Sequence, residues 1–238
     1  MSTKKMPRRA AVLRLVGVAG AAAAWACGGD TPTSPSATTT TGTTGSSSGT
    51  ISTNGTCAVT PGETAGPFPS TVSIVRSDIR EGKTGVPLSL AIKVVNANNG
   101  CAAVAGANVE IWHCDVSGNY SEYGSQTTQT YLRGIQTTDA GGQVNFTTVY
   151  PGWYQGRATH IHIEVKVNSR SVKVTQIAFP ESINNTVYAS SVYASRGSNP
   201  IANLSDDIFR DSLASELVTP AGDPSSGYSA SCQIVIAA

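Results

Sequence analysis

Apolar and polar residues alternate along several short segments of this 238-residue chain. Between Pro87 and Val95, for example, every second residue is aliphatic: Leu88, Leu90, Ile92 and Val94. Successive side chains of a β-strand point to opposite faces, so this period of two predicts strands that are buried on one face. On this ground we predict strands at Pro87 to Val95, Asn108 to Trp112, Gln143 to Val149, Arg170 to Ala178 and Cys232 to Ala237.

Turn-forming residues separate these segments. The clearest is Asp139-Ala140-Gly141-Gly142, which predicts a hairpin turn between the strands on either side of it. Only Leu204 to Val218 suits a helix, and a short one. Short strands separated by turns are typical of an all-β fold, and we predict an antiparallel β-sandwich rather than alternating β and α units.

The first 26 residues differ in character from the rest. Five basic residues precede the apolar run Leu15 to Ala26, which is too short to span a bilayer and is typical of a signal peptide. The sequence Ala24-Trp25-Ala26-Cys27 resembles a bacterial lipoprotein signal. We therefore expect an exported protein, either attached to a membrane through a lipidated Cys27 or secreted, while Arg8-Arg9 leave the Sec and twin-arginine export routes both open.

Residues 27–55 are dominated by Ser, Thr, Gly and Pro, which predicts a flexible linker between the signal peptide and a domain at 56–238. The signal segment holds five of the 16 Lys and Arg residues and none of the 15 Asp and Glu residues. The remainder therefore has 11 basic against 15 acidic residues, a net charge of −4. This balance argues against a protein that binds nucleic acid.

Four cysteines follow Cys27, and in an exported chain they predict two disulfides: Cys57, Cys101, Cys114 and Cys232. Of the three possible pairings we favour Cys101 with Cys114, which would tie neighbouring segments, and Cys57 with Cys232, which would link the two ends of the domain. Their scattered spacing makes them poor candidates for metal ligands.

Two of the three histidines lie one residue apart, at His160 and His162, in an alternating segment. The period of two places them on one strand face with Glu164 and Lys166. Such a pair can supply two nitrogen ligands to a metal ion, or it can be an exposed polar strand face. Two imidazoles alone do not identify the metal, because zinc, copper, nickel and iron all accept nitrogen ligands.

Three segments, the last of which contains the histidine pair, resemble a known family: TPGETAGPFP (60–69), VEIWHCDVSGNYSEY (109–123) and YLRGIQTTDAGGQVNFTTVYPGWYQGRATHIHIEV (131–165). They resemble, in the same order, segments of the intradiol ring-cleavage dioxygenases, in particular the exported relatives of protocatechuate 3,4-dioxygenase and catechol 1,2-dioxygenase. The resemblance covers most of the predicted domain.

The resemblance implies a mononuclear, non-heme Fe(III) ion held by four residues: Tyr120, Tyr154, His160 and His162. It implies cleavage of a catechol-type ring by O₂ between its two hydroxyl-bearing carbons, giving a cis,cis-muconate-type diacid. Tyr154 would also act as a base, Arg157 would stabilise negative charge on the substrate ring, and Gln176 would line the pocket. The substrate among catechols and the oligomeric state stay open.

Some residues near the predicted site are expected to have structural or pocket-lining roles. His113 is expected to be structural, and four residues are expected near the substrate pocket: Pro67, Phe68, Tyr123 and Trp153. Two rival hypotheses remain. One is a non-catalytic, surface-tethered β-sandwich that acts as a binding module, and the other is a copper or zinc site built on the histidine pair.

Overall fold

The computed structural model describes residues 57–238. The predicted signal peptide, the lipidated Cys27 and the linker lie outside these residues. Within the described part, no helix is both long enough and apolar enough to cross a bilayer.

Two β-sheets carry most of the described chain. The first contains β3 (Asn108–Trp112), β4 (Arg133–Thr137), β6 (His160–Val167) and β7 (Arg170–Ala178), in the antiparallel order β4-β3-β6-β7. The second contains β1 (Pro87–Asn96), β2 (Ala102–Ala103), β5 (Gln143–Val149), β8 (Ala221–Asp223) and β9 (Gly227–Ile236). Residues 57–238 also form two α-helices, α1 (Glu181–Tyr188) and α2 (Leu213–Glu216). The all-β prediction is thus confirmed.

The hydrophobic core is built from the alternating residues of both sheets. The aliphatic side chains of β1 are almost fully buried, and so are Ile161, Ile163 and Val165 of β6. Because alternate residues of β6 enter this core, His160 and His162 lie on the opposite face of the first sheet. That face is also covered, since both histidines are buried. The pair is therefore not an exposed polar strand face.

The antiparallel prediction holds for the first sheet only. In the second sheet β9 runs parallel to β1, with Leu88 opposite Tyr228 and Asn96 opposite Ile236. A period of two describes parallel and antiparallel strands equally well, so the pattern could not show the direction of β9.

The predicted hairpin is wrong, although the turn is present. Gly142 N–H donates to Asp139 O at 2.9 Å, and Asp139 N–H donates to Gln143 O at 3.0 Å. The strands on either side then join different sheets, since β4 pairs with β3 while β5 pairs with β1. Turn residues specify a local reversal of the chain, and the burial of side chains decides which strand becomes the partner.

Helix α1 was missed, and α2 is the short helix expected within 204–218. The sequence of α1 did contain a signal: Pro180 directly precedes it, and its buried residues have helical spacing, at Asn184, Val187 and Tyr188. Prolines are favoured at helix starts, and spacings of three and four residues place side chains on one face.

The predicted disulfide pairing is also wrong. Cys57 is bonded to Cys101, with Cα atoms 5.8 Å apart, whereas Cys114 and Cys232 are buried free thiols. Cys232 points into the core between the sheets, and Cys114 packs with Trp112 and Tyr120. The observed pairing depends on which cysteines lie close together in the folded structure, and their spacing along the chain does not determine this.

Candidate metal centre

The two histidines of β6 bring their ring nitrogens together. Nε2 of His160 lies 3.1 Å from Nε2 of His162, and both side chains are almost fully buried. The side-chain alternation that directs Ile161 into the core gives both imidazoles the same direction. The predicted common face is therefore present.

A hydrogen bond determines which nitrogen of His160 carries the proton. Nδ1 lies 2.7 Å from the carbonyl oxygen of Ala158, which only accepts hydrogen bonds. Nδ1 therefore donates, and Nε2 presents a lone pair to the hydroxyl of Tyr120 at 3.0 Å. Burial, with a further contribution from the charge of Arg157, lowers the pKa of His160 to about 3. The ring is thus neutral at physiological pH, as a metal ligand must be.

His162 is held differently. Its ring stacks on the indole of Trp112, and its Nδ1 is buried with no hydrogen-bond partner among the described residues. Burial, followed by the neighbouring His160, lowers the pKa of His162 well below its usual range. Both imidazoles are therefore neutral nitrogen donors pointing at one place.

Tyr120 reaches the histidines from a tight turn that follows β3. Asp115 organises this turn, because its Oδ1 accepts from the backbone N–H groups of Ser117 at 3.0 Å and Asn119 at 2.9 Å. Gly118 has a φ of +79°, and a Cβ at this position would stand 2.5 Å from the carbonyl oxygen of Trp153. The turn thus needs glycine for its conformation and for its close approach to a second turn.

That second turn carries Tyr154. At Gly152 a Cβ would meet the carbonyl oxygen of Asp115 at 2.3 Å, so the two turns lie in direct backbone contact. The rings of Tyr120 and Tyr154 are 6.0 Å apart between centroids. Tyr120 is buried, which raises the pKa of its phenol well above the usual range in the metal-free protein, while Tyr154 is only half-buried.

Arg157 and Gln176 lie together beside the histidine pair. Nη2 of Arg157 donates to Oε1 of Gln176 at 2.7 Å, and Gln176 stands opposite His162 in the β6–β7 ladder. Nε of Arg157 donates to the buried carboxylate of Asp206 at 2.8 Å. The structure therefore places both predicted residues together and adds Asp206, which the sequence analysis missed.

The segment at 60–69 covers this face of the sheet. A Cβ on Gly66 would stand 3.2 Å from Cε1 of His162, and Thr64 O accepts from Nε2 of Gln176 at 2.8 Å. Phe68 stacks on Tyr120 at 4.6 Å between centroids and meets the edge of Tyr154 at 5.1 Å. This segment shields the histidine pair from water.

The residues expected near the substrate pocket do not all lie beside the histidine pair, and His113 lies in a separate buried contact. Tyr123 contacts Phe68 and donates to Pro69 O at 2.6 Å, whereas Pro67 is exposed. Trp153 packs on the main core, with the guanidinium of Arg196 4.0 Å above its ring. His113 bridges Cys114 O at 2.9 Å and Thr148 Oγ1 at 2.8 Å, which agrees with a structural role.

Trp112 and Arg133 also belong to the site, although no sequence pattern predicted them. Trp112 stands opposite His162 in the β3–β6 ladder, a relation that no spacing along the chain reveals. Arg133 is buried and donates to Phe68 O at 2.9 Å and to Ser121 O at 2.6 Å. It connects the covering segment to the residue next to Tyr120. The Leu-Arg-Gly sequence at the start of β4 gave no indication of this burial.

The donor atoms suit a hard, highly charged metal ion. Within residues 57–238, no group of three or more His, Cys, Asp and Glu side chains is arranged to hold a metal ion. A metal at this place would therefore need the tyrosines, and phenolate oxygen with neutral imidazole is a set that ferric iron accepts. The unpartnered Nδ1 of His162 does not oppose this, because its Nε2 is the nitrogen that faces His160.

Comparison with known proteins identifies the family of this chain. A family model described as Dioxygenase matches residues 68–205. An intradiol ring-cleavage dioxygenase from Tetranychus urticae is 29% identical, with a TM-score of 0.68 over 76% of this chain and 95% of that one. The dioxygenase domain of a dioxygenase carbohydrate-binding protein fusion from Streptomyces sp. SirexAA-E is 26% identical, with a TM-score of 0.58 over 76% of this chain and 99% of that one.

A more distant structure shares the fold. The hydroxyquinol 1,2-dioxygenase from Pseudomonas putida DLL-E4 is 20% identical, with a TM-score of 0.57 over 79% of this chain and 68% of that one. The family model spans more than half of the chain and includes both turns and the histidine strand. This chain belongs to the intradiol ring-cleavage dioxygenase family.

Proposed function

We propose that this protein is a non-heme Fe(III) dioxygenase that cleaves a catechol-type ring with O₂ between the two hydroxyl-bearing carbons. The product would be a cis,cis-muconate-type diacid. Four residues would hold the iron: Tyr120, Tyr154, His160 and His162. The observation that carries the proposal is the buried convergence of Tyr120 Oη with Nε2 of His160 at 3.0 Å, and of that nitrogen with Nε2 of His162 at 3.1 Å.

Charge balance favours this donor set for a ferric ion. Two tyrosinates and one hydroxide would neutralise three positive charges, which lowers the cost of burying the ion. Burial alone raises the pKa of Tyr120, so its phenolate needs a strong positive charge beside it. Bound ferric iron would supply that charge and would make a chelated catechol reactive towards O₂.

The protein's own groups would bind and orient the substrate. The half-buried Tyr154 would accept a hydroxyl proton from an entering catechol, a role supported by its greater accessibility than that of Tyr120. Arg157 is fixed at Nε and Nη2, and we assign its remaining nitrogen, Nη1, to negative charge that develops on the ring. Phe68, stacked on Tyr120, would exclude water from the reacting ring.

The location of the enzyme is a separate proposal. The basic and apolar character of residues 1–26 and the position of Cys27 support export, with lipid attachment to a bacterial envelope or secretion. Fractionation of expressing cells, with mass spectrometry of the mature N-terminus, tests it. An unmodified terminus in the membrane fraction would contradict the lipid attachment.

A visible absorption spectrum tests the iron site. We expect the iron-loaded protein to show a tyrosinate-to-iron charge-transfer band, which shifts to longer wavelength when catechol is added without oxygen. Tyr120→Phe and Tyr154→Phe should each weaken the band, whereas Tyr228→Phe, a buried core control, should leave it unchanged. A colourless protein with stoichiometric iron would contradict the ligand assignment.

Product analysis distinguishes the rival hypotheses. Admitting ¹⁸O₂ to the catechol complex should give a ring-opened diacid in which two of the four carboxyl oxygens, one on each carboxyl group, are ¹⁸O. A copper or zinc site would not give the ferric tyrosinate band, and a non-catalytic binding module would consume no O₂. Testing catechol, protocatechuate and hydroxyquinol side by side would then identify the preferred ring.

A further inference from the structure

Asp206 is a buried carboxylate that contacts two neighbouring groups beside the histidine pair. Its side chain has no solvent exposure, whereas that of its partner Arg157 is 18% exposed. Oδ2 accepts from Nε of Arg157 at 2.8 Å and from the backbone N–H of Ala158 at 2.6 Å. Hydrogen bonds between ionised groups are among the strongest that a protein forms.

The Ala158 contact extends to a histidine. Asp206 holds the N–H of Ala158, and the carbonyl of Ala158 accepts from Nδ1 of His160 at 2.7 Å. That second bond sets the tautomer of His160 and directs its Nε2 towards Tyr120. One carboxylate is thus connected to both Arg157 and His160.

The chain around Asp206 is itself held in place. Oδ1 accepts from the backbone N–H groups of Ile208 at 2.9 Å and Phe209 at 3.4 Å. The buried ring of Phe209 packs on Ala158 and lies 5.8 Å from the guanidinium of Arg157. The carboxylate of Asp206 is therefore held by these contacts on the side away from Arg157, and a positioning group needs such support.

We propose that Asp206 is a positioning residue that fixes the guanidinium of Arg157 towards the substrate and, through the backbone of Ala158, the ring of His160. The inference rests on the proposed function for the roles of Arg157 and His160. The contacts themselves do not depend on it. Asp206 lies directly after the segment that the family model matches, 68–205.

The substitution Asp206→Asn tests the inference with little change of shape. The amide has one acceptor oxygen, so it cannot serve both the Arg157 side and the Ile208 side of the carboxylate, and it removes the negative charge. Asp207→Asn is the matched control, because Asp207 is next in sequence but 83% exposed and forms an ion pair with the exposed Arg210.

The first measurement needs no iron. In ¹⁵N-labelled, metal-free protein, the Nε–H of Arg157 should give a protected NMR signal, identified by its loss in Arg157→Lys. We expect Asp206→Asn to speed its exchange with solvent by about tenfold or more, the factor that loss of a charged hydrogen bond implies, and Asp207→Asn to leave it unchanged. Unchanged exchange in Asp206→Asn would overturn the inference.

The second measurement is a double-mutant cycle on the iron-loaded enzyme. If Asp206 acts by orienting Arg157, Asp206→Asn should lower kcat by about 10- to 100-fold, with a much smaller change in KM. Arg157→Gln should lower kcat at least as far. The double variant should lose little more kcat than Arg157→Gln alone. Any further loss would be the part that acts through His160. Fully additive losses in kcat would overturn the role through Arg157.

The double variant also covers the case in which Asp206→Asn does not fold. Asp206→Asn/Arg157→Gln leaves neither charge buried without its partner, so it should fold even where the single variant leaves Arg157 unpaired. Recovery of the melting temperature in the double variant would support the coupling. If the double variant unfolds as readily as the single one, Asp206 serves the fold and the inference fails.

The two measurements separate this inference from the proposed function. Protection of Arg157 Nε–H that depends on Asp206, in a protein without dioxygenase activity, would support the positioning contact and count against the function. Activity that Asp206→Asn leaves intact would support the function and overturn the inference.

Discussion

Trp112 and His162 lie face to face, with ring centroids 4.8 Å apart and ring planes within 1° of parallel. They are directly opposite each other on the paired strands β3 and β6. Cross-strand neighbours are close enough for their rings to stack, so the pairing register sets the plane of the imidazole. The indole thus orients the imidazole of a proposed metal ligand.

Replacing Trp112 tests this relationship. We expect Trp112→Leu to weaken iron binding by about tenfold, since the loss of a group that orients a ligand has an effect of this order. Trp112→Phe retains a stacking ring and gives up no hydrogen bond, because Trp112 Nε1 has no partner among the described residues. Iron competition against a chelator measures both, and equal losses in the two variants would contradict a role for stacking.

Gly66 is expected to matter for its contact with His162. Gly66→Ala would place a Cβ 3.2 Å from Cε1 of His162, at a φ of +67°. We expect a loss of stability of about 1 to 2 kcal/mol and a several-fold weaker affinity for iron. Gly82→Ala is the control, because Gly82 has a φ of +74° but nothing within 4 Å of the added Cβ. It should lose similar stability and keep its iron affinity.

The Cys57–Cys101 bond is expected to hold the start of the covering segment. A double substitution, Cys57→Ser/Cys101→Ser, should lower the free energy of unfolding by roughly 2 to 4 kcal/mol and speed chymotrypsin cleavage at Phe68. Thermal unfolding and timed proteolysis measure the two effects. Wild-type protein beginning at residue 28 should give two thiols when it is unfolded without reductant, from Cys114 and Cys232. Four thiols would contradict the bond.

Glu216 should make stability depend on pH. Burial, followed by repulsion from Glu63, raises the pKa of its carboxyl to about 7. Between pH 4.5 and 7 the folded protein keeps a proton that the unfolded chain releases, so this group's contribution to stability falls as the pH rises through this window.

The substitution Glu216→Gln isolates this effect. The amide stays neutral and can still accept from Ser212 or Thr175, which contact the carboxylate at 2.6 and 3.1 Å. We expect it to melt about 2 to 4 °C above wild type at pH 8 and to differ little at pH 4.5. The buried histidines affect both proteins alike, so they cancel in the difference. A difference that does not change with pH would contradict the assignment.

Much of the site was predictable because its chemistry is local in sequence. His160 and His162 share a face through the period of two of β6, and the structure buries that face. Tyr120 and Tyr154 stand in turns whose glycines, Gly118 and Gly152, mark close backbone contact. The resemblance grouped these four residues, and the structure brings Tyr120 next to the histidines and Tyr154 within ring contact of Tyr120.

Contacts between distant segments could not be predicted in this way. Asp206 reaches Arg157 across 49 residues, and Cys57 reaches Cys101 across 44. No periodicity or turn preference depends on such partners.

The sequence by itself determined the all-β class, four of the strands to within a residue, and the common face of the histidine pair, because side-chain alternation and turn chemistry act over a few residues. Only the tertiary structure decided that β9 runs parallel to β1, that β4 and β5 separate into two sheets, and that Cys57 pairs with Cys101. Those outcomes depend on how the two sheets bury their apolar faces against each other. This packing involves contacts between segments that are far apart in the sequence.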